Sequence, residues 1–383
     1  MIDARALRLA LFTDTYTPQI NGVARTLERL TSAVQSRGGA VRVFTVEDPE
    51  QADDPTVERF TSRPFWAYPQ LRLAWPAWER IQAAIHSFQP TILHAATEFG
   101  VGLAGRRVAL AEGIPFVSSY HTSFAAYATH YSLGFLAEPG WAFLRWFHNG
   151  GERTYCPTQS IAAEITARGF HRCTVWSRGV DTARFHPAFR SEAIRQQIGA
   201  SDDTLVVSYV GRLASEKGIA VALDAIRFVA EARPGRSVFL IVGDGPYEGI
   251  LRERAPKGTH FLGRLTGDAL SAAYASSDLF LFPSTTDTFG NVMLEAMASG
   301  VPVLGADVGP TRELLLPDRG WLAEPGNAPA FAAQIIRLID DRALLYTTRD
   351  RALDHAARQS WDAIWDALIT DYLTLQRRND PGL

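Results

Sequence analysis

Lysine is nearly absent: of 38 basic residues only Lys217 and Lys257 are lysines, and the rest are arginines. The bias is chiefly one of genome composition, yet it marks any lysine that falls inside a motif. Cysteine is almost as rare. Cys156 and Cys173 alone give no disulfide framework and fit a reducing compartment. No apolar run approaches the ~20 residues that a membrane-spanning helix needs. Charge of one sign is not in excess either, and a net charge of -3 offers no basic field for nucleic acid. The segment Met1–Arg8 leads straight into a strand-like run without the apolar core of a signal peptide. A cytoplasmic protein is expected, with any membrane contact peripheral and at the inner face of the cell membrane. Metal-binding patterns are missing as well. There is no His-Glu-x-x-His, no paired Cys-x-x-Cys and no Asp-x-Asp triplet, and the nine histidines are scattered.

What is present is the makings of two globular domains. The length of 383 residues suits two domains of ordinary size, and 46% hydrophobic with 21% charged residues is globular composition. Short apolar runs alternate with amphipathic stretches, the pattern of parallel α/β sheets. Strands are expected at Leu7–Thr13, Val41–Val46, Thr91–His94, Pro115–Tyr120 and Thr154–Pro157, with helices near Val23–Ser36, Gly100–Ala111 and Gln159–Ala167. Arg178–Pro187 breaks the rhythm as a linker. It restarts with Leu205–Val210, Val238–Val242, His260–Leu262, Asp278–Phe282 and Pro302–Leu304. The expectation is two Rossmann-like doubly wound domains, 1–187 and 188–359, with ligands at the carboxyl ends of the strands and a cleft between them. Apolar residues at 361, 364, 365, 368, 369 and 372 give a final helix, and the segment 360–383 is expected to pack back onto the first domain. Hinges are expected near Gly179–Pro187 and before Trp361.

Several stretches carry chemistry. The segment Ser284-Thr-Thr-Asp-Thr-Phe-Gly-Asn-Val-Met-Leu-Glu-Ala-Met-Ala-Ser-Gly300 follows a strand and holds two acids, Asp287 and Glu295. Gly290 and Asn291 open a helix there, whose free N–H groups make a natural phosphate seat. Asn291, Glu295 and Ser299 form one polar stripe, which either faces water or serves a ligand. Val207–Gly218 is strand, loop and helix start, with Arg212 and Lys217 near a Gly-rich turn; a departing diphosphate needs such cations. Asn21-Gly22-Val23 makes a glycine turn between strand and helix, where Asn21 is expected to tolerate a left-handed conformation. His121 ends a strand, a position more often structural than catalytic. Gly243, Gly245 and Gly249 give G-x-G-x-x-x-G, one residue off the dinucleotide spacing and not on a first strand, which argues against a nicotinamide enzyme.

Taken together and in order, these motifs resemble the family 4 glycosyltransferases, retaining enzymes of the GT-B fold. Thr286–Val303 is similar to that family's Glu-x7-Glu region, with Asp287 standing where the first glutamate is usual. The branch most similar includes GDP-mannose-dependent α-mannosyltransferases and sulfoquinovosyl-type lipid glycosyltransferases, the latter around Ser119–Thr122 and Val175–Asp181. The resemblance implies a transferase that moves a hexose, mannose first among candidates, from a nucleotide diphosphate sugar to a lipid or glycoconjugate hydroxyl. GDP-mannose or a UDP-sugar would be the co-substrate, with no metal. It implies that Asp287 binds the donor sugar, Glu295 the nucleotide ribose, and Arg212 and Lys217 the phosphates. Gly22, Phe289, Gly290 and Asn291 would line the donor, Gly263, Arg264 and Leu265 would seat the base, and His121 would orient the sugar. Asp14, Asn21 and Tyr120 are expected on the acceptor side. A UDP-sugar-dependent glycolipid synthase and a nucleotide-sugar-binding protein without turnover stay open beside this reading.

For the acceptor, Arg59–Ile81 is the stretch to consider. It holds Trp66, Tyr68, Trp75 and Trp78 with Arg59, Arg63, Arg72 and Arg80 against the single acid Glu79. Such a mixture suits a membrane interface or a lipid-linked acceptor; a loop packing its tryptophans inward fits equally. Its three prolines argue against a regular helix. Residues 1–187 carry 18 arginines against 16 acids, a bias that permits anionic lipid without demanding it.

Overall fold

The computed structural model describes residues 2–19, 21–51, 53–65, 68–121 and 137–379. The chain divides into two compact units, Met1–Ser177 with Asp362–Leu383, and Arg178–Trp361. Each is built on a parallel sheet.

In the first unit β1 (Arg8–Phe12), β2 (Ala40–Val46) and β3 (Val57–Phe60) are followed by a two-stranded antiparallel ribbon, β4 (Ser62–Phe65) and β5 (Tyr68–Ala74). Then come β6 (Ile92–Ala95), β7 (Phe116–Ser119), β8 (Arg153–Cys156) and β9 (Cys173–Val175). The sheet order is β3-β2-β1-β6-β7-β8-β9, and every neighbouring pair is parallel. Strand order therefore reverses between β1 and β6, the place where doubly wound sheets open a crevice. The central strands are buried on both faces, which is why they read as continuous apolar runs. The edge strands β3 and β9 are half exposed and were not visible that way. Two helices also escape the sequence reading, Trp78–Phe88 and Ala137–Asn149. Pro76 and Pro139 are their start signals, since proline is tolerated just before a helix or in its first turn. Pro64 and Pro69 sit in the ribbon, outside the main sheet, where a missing N–H does little harm.

The helix Trp361–Asn379 covers one face of this unit. Trp365, Leu368, Ile369, Tyr372 and Leu375 are at most 4% exposed. Burying five such side chains contributes on the order of 10 kcal/mol before chain entropy is counted. Arg37, with a buried guanidinium, donates to Asp366 at 2.7 Å and to Asp362 at 3.0 Å. Removing either acid would leave a buried charge short of a partner, a costly state.

The second unit runs β10 (Leu205–Val210), β11 (Ser237–Val242), β12 (Thr259–Phe261), β13 (Leu279–Phe282), β14 (Val303–Ala306) and β15 (Gly320–Ala323). The order is β12-β11-β10-β13-β14-β15, all parallel, so the switch point lies between β10 and β13. Loops at this carboxyl edge approach at backbone distance. A Cβ on Gly243, whose φ is +136°, would sit 1.9 Å from the Gly211 carbonyl oxygen. One on Gly218, with φ +68°, would sit 2.6 Å from the carbonyl oxygen of Pro283. Only glycine fits either place. Gly243 thus serves contact between loops, and the near-miss to a dinucleotide fingerprint is explained by packing.

Gly243→Ala is expected to lower the stability of the second unit by roughly 3 kcal/mol. Calorimetry would read this as a lowered midpoint, and an unchanged midpoint would contradict so close an approach.

Candidate active site

At the switch point of the second unit, two loops bring together groups distant in sequence. After β10, residues 215–217 form a single 3-10 turn that ends at Gly218, from which the helix Ile219–Ala232 departs. After β13, the loop ends at Gly290, left-handed at φ +83°, and the helix Asn291–Ala298 begins. Across the two loops Lys217 Nζ donates to Asp287 Oδ1 at 2.7 Å. Arg212 pairs with the buried Glu216, and the Thr286 hydroxyl donates to the Glu216 carbonyl at 3.3 Å, tying the loops further. Burial works to raise the Asp287 carboxyl, but Lys217, the Ser284 hydroxyl and Arg212 overrule it and hold the acid below the ordinary range. Asp287 is therefore a carboxylate at neutral pH.

Glu295 lies one turn into the helix, where the Tyr274 hydroxyl donates to its Oε2 at 2.9 Å. Tyr274 is fully buried among Phe185 and Phe280, so it aims the carboxylate from a fixed platform. A carboxylate offers about four acceptor positions, so Glu295 can accept from more donors than Tyr274 alone. The polar stripe does not simply face water. Ser299 is 2% exposed, and its Oγ, like Asn291 Oδ1, is buried without a hydrogen-bond partner among the described residues. Phe289 belongs to the core below. Gly263, Arg264 and Leu265 follow β12; Gly263 accepts from Gly243 N at 2.8 Å, Leu265 packs on the core, and Arg264 is exposed.

In the first unit the switch point gathers buried polar groups. Asp14 follows β1 and is 1% exposed. It accepts from Val101 N at 2.9 Å, opening the helix Gly100–Glu112, and from the Thr97 hydroxyl at 2.7 Å. Burial pushes its carboxyl up to about 6, against the hydrogen bonds and with help from nearby Glu98. Asn21 caps the helix Gly22–Ser36 by accepting from Ala24 N at 2.8 Å. Its φ of -143° is extended, so the left-handed conformation expected there is not used. Tyr120 is 1% exposed and packs in the core with Trp141 and Phe170. All three expected acceptor-side residues thus carry internal tasks. His121 follows β7, with Nε2 2.9 Å from Ser119 Oγ and its ring 5.4 Å from that of Trp176. Behind it stands His94 on β6, fully buried, whose ring nitrogens lie 2.7 Å from Ser119 Oγ and 2.6 Å from the Tyr372 hydroxyl.

The aromatic and basic stretch 59–81 is mostly ribbon, and the helix Trp78–Phe88 begins inside it. Arg59 donates to the carbonyls of Thr17 and Val46, Arg72 to Ser62, and Arg80 to Glu58. Arg107 covers Trp78 at 4.3 Å, whereas Trp75 is 78% exposed. Trp66 lies outside the described residues. Among those described, no three His, Cys, Asp or Glu side chains gather as a metal site, and no helix is long and apolar enough to cross a membrane.

Sequence reading missed the supports: Tyr274, Glu216, Ser119, His94 and Tyr372. A histidine inside an all-buried strand and a tyrosine hydroxyl inside an apolar helical stripe were the available signals.

A model described as Glycosyltransferase Family 4 matches residues 20–184, and one described as Glycosyl transferases group 1 matches residues 204–341. The chain is 31% identical over 383 residues to the GDP-mannose-dependent alpha-mannosyltransferase of Mycobacterium tuberculosis (strain CDC 1551 / Oshkosh), covering 97% of this chain and 98% of that one. It is 29% identical to the alpha-monoglucosyldiacylglycerol synthase of Streptococcus pneumoniae (strain ATCC BAA-255 / R6), over 78% of this chain and 70% of the other. Among solved structures, the sucrose-phosphate synthase of Thermosynechococcus elongatus superposes with a TM-score of 0.77 at 20% identity, covering 96% and 99% of the two chains.

The buried His94 supplies a pH test. Burial lowers its pKa from 6.5 to about 3, so below pH 6.5 the unfolded chain takes a proton that the folded one refuses. Its contribution is intact above pH 6.5 and declines as the pH falls towards 3. Between pH 7.5 and 5 the wild type should lose about 2 kcal/mol more than His94→Gln, measured by denaturant unfolding. Equal losses would refute a neutral buried imidazole.

Proposed function

The chain belongs to glycosyltransferase family 4, and on that premise we propose which groups of this GT-B hexosyltransferase act on its donor and acceptor. The reading is mannosyl transfer from GDP-mannose to a lipid or glycoconjugate hydroxyl, with retention at the anomeric carbon. The bond from that carbon to the diphosphate breaks, and the acceptor oxygen bonds to the same face. The acceptor proton passes to a donor phosphate oxygen, and the nucleoside diphosphate leaves. Lys217 and Arg212 meet the growing negative charge on the diphosphate, and the helix start at Gly290-Asn291 seats a phosphate. Asp287 accepts from hydroxyls of the donor sugar, Glu295 from those of the ribose. The loop Gly263-Arg264-Leu265 takes the base, and His121 orients the sugar, the role the resemblance gives it.

The single observation that carries this reading is the Lys217–Asp287 contact of 2.7 Å at the switch point. One cation and one carboxylate, drawn from separate loops, are poised for a ligand with both phosphate and hydroxyl groups. Mannose is favoured by the mannosyltransferase relative, which matches along nearly its whole length. A UDP-sugar-dependent glycolipid synthase is the second reading, favoured by the glucosyldiacylglycerol relative and by the exposed Trp75. Residues 59–81 would then touch the membrane peripherally.

A panel of GDP-, UDP- and ADP-sugars offered with membrane lipids, with product analysis, decides among donors. Transfer from GDP-mannose is the expected result, and binding of no nucleotide sugar would sink the proposal. Lys217→Ala and Glu295→Ala should each reduce transfer roughly a hundredfold with the fold retained. We also propose that no divalent ion takes part, so chelation with EDTA should leave the rate unchanged. Loss that is restored by magnesium or manganese would reverse that point.

A further inference from the structure

Four side chains of the first unit form one hydrogen-bonded line. The Tyr372 hydroxyl lies 2.6 Å from His94 Nδ1, His94 Nε2 lies 2.7 Å from Ser119 Oγ, and Ser119 Oγ lies 2.9 Å from His121 Nε2. Tyr372, His94 and Ser119 are completely buried. Burial keeps His94 neutral, and burial with the nearby Asp371 holds the Tyr372 hydroxyl well above its ordinary range, so it keeps its hydrogen. Trp176 and Tyr155 wall the line, their ring centroids 5.8 and 5.7 Å from that of His94.

A neutral imidazole has one N–H and one lone pair, and the Ser119 hydrogen finds no acceptor among the described residues other than the two imidazoles, so such a line runs in one of two directions. In the first, Tyr372 donates to His94 Nδ1, His94 Nε2–H donates to Ser119, and Ser119 donates to His121 Nε2. In the second every donation is reversed, and the Tyr372 hydroxyl hydrogen must find another acceptor. None is present among the described residues. The adjacent Asp371 accepts from Tyr155 at 2.7 Å, and no bond joins it to the Tyr372 hydroxyl. A buried donor with no acceptor is penalised more than a satisfied bond is rewarded, so the closed end at Tyr372 selects the first direction.

We propose that Tyr372, acting through His94 and Ser119, fixes His121 as the tautomer with hydrogen on Nδ1 and the lone pair on Nε2. Tyr372, His94 and Ser119 are then positioning residues. In this tautomer the Nδ1 side of His121 is an N–H donor and cannot take a proton. The tautomer is independent of the proposed function; only its consequence for transfer rests on His121 touching the donor sugar.

The test uses the full chain labelled with 15N-histidine, with the His121 signals assigned by their loss in His121→Gln. Long-range proton–nitrogen correlation should show Nδ1 protonated and Nε2 unprotonated. In Ser119→Ala and in Tyr372→Phe that single pattern should give way to a mixture. Protonated Nε2 in the wild type, or an unchanged pattern in Ser119→Ala, overturns the proposal; Ser119→Ala carries the test should Tyr372→Phe fail to fold. In transfer assays Tyr372→Phe should lower kcat about tenfold, the effect of one hydrogen bond, with donor KM moving less than about twofold. A changed tautomer with unchanged kcat would uphold the line and refute His121 as a donor contact.

Discussion

Backbone lying directly on backbone is the constraint from which the second unit's site follows. The Gly243 α-carbon presses against the Gly211 carbonyl, and Gly218 against that of Pro283, at distances no side chain would permit. Loops leaving neighbouring strands are thereby drawn into one layer. Lys217 is adjacent to one of these glycines, and Asp287 lies in the loop that Pro283 begins. Their bond is a product of this closeness. Wider loops would need longer side chains, with more rotamer freedom to lose on meeting a ligand.

The first unit uses the same sheet architecture to a different end. Its switch point is filled by hydrogen-bonded groups in the interior: Asp14 with Thr97 and Val101, and His148 with Ser118 at 2.8 Å and Glu98 at 3.3 Å. Such networks fix geometry when every member is satisfied and are expensive when one is missing. The helix Trp361–Asn379 takes part in this through Tyr372 and Asp371, which bond to residues on β6 and β8. A segment met last along the chain thus completes the interior beneath His121.

The parallel strands were legible because each central one is buried on both faces and reads as an unbroken apolar run. The residues proposed to meet the donor were legible for another reason. Arg212 and Lys217 share one loop, and Asp287 through Glu295 span the next loop and the start of its helix, so their chemistry is contiguous in sequence even before folding. The ribbon and the edge strands β3 and β9 lack a two-sided core and left no such trace. The line behind His121 was hidden by distance, since Tyr372 and His94 are 278 positions apart. Tyr372 had been placed on the apolar stripe of its helix, which is right for its ring and silent about its hydroxyl.

The pairing of Lys217 with Asp287, and of Arg212 with Glu216, has a kinetic consequence. Two cations and two carboxylates, already matched, project little net field into solution. On the proposed reading, the nucleotide sugar is not drawn in by long-range steering, and its association rate should depend only weakly on ionic strength. A simple phosphate could displace Asp287 from Lys217, but it would cost the carboxylate its bonded cation. A molecule bearing both phosphate and sugar hydroxyls satisfies both ends of the broken pair. On that reading, the resting ion pair favours a ligand that carries both groups over a small anion that carries one.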